Sequence, residues 1–177
     1  PVTHPVTGIE SAKKSKIITK QRGDGFVMIR DRIALGVVAG LLATIPSLIV
    51  NIISVNLGFA RWYSHQIGGS IYLHPGLTDS PQGVILGLLV WIIPAMILGV
   101  ITSYVIKVTG EDFWWLKGIA VTLTCMYLII YGFLYSLGGA RIVPFDFATN
   151  VSIYIENVIY GLTLAYLIKR WGKVTTS

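Results

Sequence analysis

The sequence predicts an all-α, polytopic membrane protein: a four-transmembrane-helix bundle with both termini in the cytoplasm. Three observations predict it. Of the 177 residues, 54% are hydrophobic and only 12% charged, about half the charged share of a soluble domain. The apolar residues gather in four long runs, each near the roughly 20 residues that a helix needs to cross a bilayer core. The 14 lysines and arginines, against 8 acidic residues for a net charge of +6, sit at the ends of those runs. That placement suits a membrane surface rather than nucleic acid. Together these features exclude a soluble enzyme, a disordered chain and a secreted disulfide scaffold. The single cysteine, Cys125, lies inside an apolar run and forms neither an intrachain disulfide nor a CxxC motif.

Residues 1–32 read as a basic cytoplasmic arm. The stretch 1–27 lacks helical periodicity and is suited to touching anionic lipid. A polar lead of this length, before a run too long for a signal-peptide core, predicts no cleavable signal. The chain begins at Pro1, with Met28 an alternative start.

The transmembrane domain is expected over 33–170. Its first span, Ile33–Leu57, and its second, Val84–Ile106, carry no formal charge, and neither does the third, Gly118–Leu137. The fourth, Val151–Ile168, carries Glu156 alone; Pro144 and Asp146 suit an earlier first turn. Residues 58–83 form the longest connection, broken into turns at Gly68–Gly69, Pro75–Gly76 and Ser80–Pro81. Its apolar and aromatic content predicts an interfacial loop resting on the outer headgroup layer. Pro46 and Pro94 fall inside spans one and two and predict kinks. Residues 171–177 read as a cytoplasmic tail.

Basic residues set the orientation. Residues 1–32 hold seven, the 107–117 connection two and the tail three, against one each, Arg61 and Arg141, in the other two connections. Twelve against two places both termini inside by the positive-inside rule. Trp62, Tyr63, Tyr72, Trp114, Trp115 and Trp171 flank the spans, where amphipathic rings favour headgroups. The expected location is the bacterial plasma membrane.

In lipid, helices meet through small residues and interhelical hydrogen bonds. Gly36 and Gly40 in span one, Gly87 and Gly99 in span two, and Gly161 in span four are the expected packing positions. Glu156 is the only formal charge within a span. An ionised carboxylate at mid-helix costs about 3 kcal/mol, so the group is expected to be carried protonated. It lies roughly 5 Å from the span centre toward the outer side. Asn51 and Tyr131 fall at similar depth and Asn157 adjoins it, so a polar intramembrane cluster is expected from Glu156, Asn157, Asn51 and Tyr131, joined by Ser54 and Tyr135. Two readings follow. One is a hydrogen-bonded clasp locking spans one, three and four. The other is a proton- or cation-responsive site or headgroup pocket.

Other constellations carry no chemistry. His65, His74 and Asp79 share a connection but match no metal-binding spacing. There is no GxSxG, Walker A or GxGxxG motif. Glu111 and Asp112 suit the start of the third helix electrostatically. No catalytic residue, metal or cofactor is expected. The opening "DRIALGVVAGL" at 31–41, "LKGIA" at 116–120, the turn Pro144-x-Asp146 followed by Thr149, and "IYG" at 159–161 give a resemblance over residues 28–170. On these motifs the chain resembles a group of small, uncharacterised four-span membrane proteins of spore-forming Firmicutes. The resemblance implies the four-span layout and carries over no activity. The expected role is therefore a non-enzymatic structural or accessory bundle, an oligomer through its glycine faces or a partner of another membrane subunit. The alternative is a small transporter or channel with Glu156 in its path.

Overall fold

A computed structural model describes residues 31–172. Expectations for the arm at 1–30 and the tail at 173–177 lie outside the described residues. Among the described residues, four helices are long and apolar enough to cross a bilayer. Three of them begin where a side chain satisfies backbone groups that a helix terminus leaves open. Helix α1, Arg32–Asn56, starts at Asp31, whose carboxylate accepts from Ile33 N at 2.9 Å. Helix α2 is short, Ser64–Gly69. A 3-10 turn at Pro75–Leu77 then leads to α3, Pro81–Thr109. Ser80 caps α3 by accepting from Gly83 N, with proline in its first turn. Lys117 Nζ donates to the carbonyls of Thr109 and Gly110, at 3.0 and 2.9 Å, and so closes the far end of α3.

Helix α4 begins at Trp114 and is α-helical to Thr122. From Leu123 to Gly139 it continues in wider π geometry, broken at Gly138, whose φ is 106°. An ordinary α-helix was expected over 118–137. Along the wider stretch Tyr127, Tyr131 and Tyr135 form a ring ladder, with centroids 5.8 and 6.4 Å apart. Helix α5, Phe147–Trp171, starts at Asp146, which accepts from Thr149 N at 2.7 Å. All four spans exceed or shift from the expected bounds at one end or both; for α1, α3 and α5 side-chain caps rather than hydropathy set the first residue. Both α1 and α3 run through their internal prolines as single helices.

The long helices pack through backbone-close crossings. A Cβ on Gly99 would lie 1.9 Å from Gly36 O, and one on Gly40 2.5 Å from Ala95 O, so α1 and α3 touch without intervening side chains. A Cβ on Gly118 would lie 2.4 Å from Gly161 O, so α4 and α5 do the same. One core cluster gathers Leu35, Ala39, Leu98, Tyr160 and Leu164, and a second Ile67, Tyr131, Tyr135 and Ile153. Isoleucines and leucines such as Ile49, Ile93 and Leu128 point outward and stay about half exposed, as hydrocarbon-facing positions do.

The 58–83 connection departs from the expected surface loop. It folds back against α3 and into the bundle. A Cβ on Gly87 would lie 2.1 Å from His65 O, and one on Gly83 2.2 Å from Leu77 O. Gly87, expected at a contact between spans, thus receives the α2 backbone instead. Ser70 Oγ accepts from Arg141 N and Ile142 N, joining this insert to the α4–α5 connection. Among the described residues, Arg32, Lys107, Lys117, Lys169 and Arg170 share one end of the bundle, and Arg61 and Arg141 the other.

Candidate functional site

The polar centre of the bundle is organised around Ser64, the first residue of α2. Three long helices address its three polar atoms. Its Oγ donates to Glu156 Oε2 of α5 at 2.7 Å. Its backbone N donates to Asn51 Oδ1 of α1 at 2.9 Å. Its carbonyl accepts from the indole Nε1 of Trp91 on α3. Ser64 is fully buried, and Glu156 and Asn51 are 5% and 2% exposed. A short helix leaves its first amides without internal partners; here a span side chain supplies one. Gln66 completes the local frame. Its Oε1 accepts from Tyr63 N at 2.8 Å and its Nε2 donates to Asp79 Oδ1 at 2.6 Å. Gly68 lies under the Trp91 ring, where a Cβ would meet the indole at 3.2 Å.

The expected cluster is only partly assembled. Glu156 and Asn51 converge, but through Ser64 rather than with each other. Asn157 donates to Ile153 O on its own helix at 2.8 Å. Tyr131 belongs elsewhere: its hydroxyl donates to Asn150 Oδ1 at 2.9 Å, near the start of α5. Asn150 in turn donates to the carbonyls of Pro144 and Asp146. Tyr135 approaches the hub edge-on, its ring 6.3 Å from that of Trp91. Ser54 takes part through its carbonyl, which accepts from Phe59 N and Ala60 N as the chain turns out of α1. The sequence reading missed Ser64, Trp91 and Gln66. The available signal was Ser64-x-x-x-Gly68, the small-x-x-x-small spacing that lets backbones approach, lying in a segment read as turns.

A cavity of about 30 Å³ adjoins the carboxyl. Thr44, Ser47 and Leu48 of α1, Trp91, Ile92 and Ala95 of α3, Met126 of α4, and Glu156, Asn157 and Tyr160 of α5 line it. It has room for a water molecule or two. Thr44 and Ser47 donate back to carbonyls of their own helix, and Tyr160 OH donates to Ala95 O across to α3 at 2.6 Å. Asn51 Nδ2 is buried without a hydrogen-bond partner.

The histidines serve the insert. His74 Nδ1 accepts from Gly76 N and caps the 3-10 turn. His65 stacks on Tyr63 at 5.3 Å. Burial pushes its pKa below the usual histidine value, against the opposing pull of Asp79. Among the described residues no three His, Cys, Asp or Glu side chains gather to hold a metal ion.

Neither a family model, nor a curated protein, nor a solved structure matches this chain.

Proposed function

We propose that the chain is a four-span integral protein of the bacterial plasma membrane, with both termini cytoplasmic, that acts as a non-enzymatic structural or accessory subunit. In this reading the polar hub is a clasp. It fixes the 58–80 insert as a rigid platform at the outer face, offered to another membrane subunit or to a second copy. The observation that carries the reading is the three-way engagement of Ser64 by Glu156, Asn51 and Trp91. Among the described residues, the one acid inside a long apolar helix accepts from the Ser64 hydroxyl at the start of the insert. The glycines at expected contact faces also close contacts within the chain, so a partner would meet the insert or outward apolar faces rather than a glycine stripe.

One observation favours a second reading. The cavity beside Glu156 joins a carboxyl to Thr44, Ser47, Asn157 and Tyr160, the kind of polar pocket a small proton-coupled transporter or channel would use. Tagged full-length chain, purified in mild detergent from native membranes, separates the two. The clasp reading expects a second polypeptide, or further copies, in constant ratio by native mass spectrometry. It also expects no proton flux in liposomes. A monomer that carries a flux abolished by Glu156→Gln would contradict it and establish the transporter reading.

A further inference from the structure

We propose that the groove between the first turn of α4 and the last turn of α5 binds a phosphate-bearing anion, either the phosphodiester headgroup of an anionic lipid or free phosphate. The groove is about 260 Å³, against the roughly 10–15 Å³ that a single water needs by the same measure, and so takes a polyatomic group. Four residues line it, Trp114, Tyr166, Lys169 and Arg170, and none is acidic. Tyr166, Lys169 and Arg170 fall at i, i+3 and i+4 on α5 and so share one face. The Trp114 ring stands 6.1 Å from that of Tyr166 and forms the opposite wall. Lys169 Nζ is held 5.3 Å from the centre of the Trp114 ring, a cation–π contact that places the ammonium before any anion arrives. Arginine adds a planar fork matched to phosphate oxygens, and lysine a point charge.

The surroundings agree. The groove opens at the end of the bundle that carries Arg32, Lys107 and Lys117; with Lys169 and Arg170 these make five described basic residues there against three acidic ones, Asp31, Glu111 and Asp112, a net excess of positive charge. Lys117 is occupied in closing α3, whereas the Lys169 ammonium rests on a ring face that an anion can share. Two cations with tryptophan and tyrosine at the end of an apolar bundle are the side chains found at headgroup depth. None of this depends on the role of Glu156 or on the identity of a protein partner.

Full-length chain in an uncharged detergent tests the site by native mass spectrometry with added phosphatidylglycerol or phosphatidylcholine. One phosphatidylglycerol retained per chain is expected, with phosphatidylcholine lost. The double variant K169Q/R170Q should weaken retention roughly 30-fold, the effect of removing two basic groups at an anionic surface. K169R/R170K should restore it to within a few-fold, which separates lost charge from lost fold. Inorganic phosphate is added in a parallel arm. If it displaces the lipid and raises the melting temperature of the wild type but not of K169Q/R170Q, the site takes free phosphate; if it does neither while phosphatidylglycerol is held, the lipid is the ligand. Equal retention of both lipids, or undiminished phosphatidylglycerol retention by K169Q/R170Q with no effect of phosphate, overturns the proposal.

Discussion

Ser64 has three polar atoms and a different helix answers each, so its neighbours give the sharpest residue-level test. Asn51→Leu removes the acceptor for Ser64 N and leaves a buried donor unpaired, at about 1–3 kcal/mol. For a chain of this size that lowers the melting temperature by several degrees. Glu156→Gln keeps an oxygen to accept from Ser64 Oγ, so its melting temperature in detergent should stay near the wild-type value. Glu156→Leu removes the acceptor and should lose about 1 kcal/mol or more. A Gln variant as unstable as the Leu variant would mean that the negative charge itself is structurally required. Glu156 was legible in the sequence because a lone charge in an apolar run demands a reason, and Asn51 because it lies at matching depth. Ser64 was not, since a serine in a turn-rich connection has no period to betray burial. Tyr131 was misassigned because depth along an α-helix ignores the π geometry that turns its hydroxyl to Asn150.

At the scale of the element, glycine decides how closely helices approach. Gly99→Ala puts a methyl 1.9 Å from Gly36 O, with Gly40 Cα at 3.0 Å, so α1 and α3 must separate. Overpacking of this kind costs about 1–3 kcal/mol. Gly76→Ala is the control: its Cβ meets only His74 Nδ1, at 3.7 Å, and its effect should stay within about 0.5 kcal/mol. Thermal unfolding of the two variants side by side checks the contrast. Asp146 gives α5 a titratable start. Partial desolvation opposes ionisation, but hydrogen bonds from Thr149 and from its own backbone amide, with the Arg61 charge, together outweigh it and hold the carboxyl below the usual carboxylate range. A depressed native pKa means that the cap stabilises fully above the unfolded-state value and fades as pH falls through the native one. Asp146→Asn retains a capping oxygen and should flatten that part of the acid-side loss of melting temperature; an unchanged acid profile would show that the cap does not titrate with folding. The small-residue spacings marked which positions sit at contacts, yet not which helix each one meets. Gly87 illustrates the gap: its partner is the backbone of His65, in a segment that hydropathy assigned to the surface.

For the molecule as a whole, the number of long helices and their alternating course were readable because hydrocarbon thickness imposes one length on every crossing. The folded insert was not readable, because no comparable length rule governs a segment held by three side chains and two glycine surfaces. Charge is the remaining large-scale feature. Five of the described basic residues stand at one end of the bundle and two at the other, a bias that sets orientation during insertion. The most direct test is side-specific thiol labelling of single cysteines placed at Arg61, Arg141, Lys107 and Lys117 in a Cys125→Ser background, in intact bacteria. Four spans with cytoplasmic termini predict that positions 61 and 141 react with a membrane-impermeant reagent from outside, while 107 and 117 react only after the cells are opened. Labelling of 107 or 117 in intact cells, or failure of 61 and 141 to react from outside, would contradict the account.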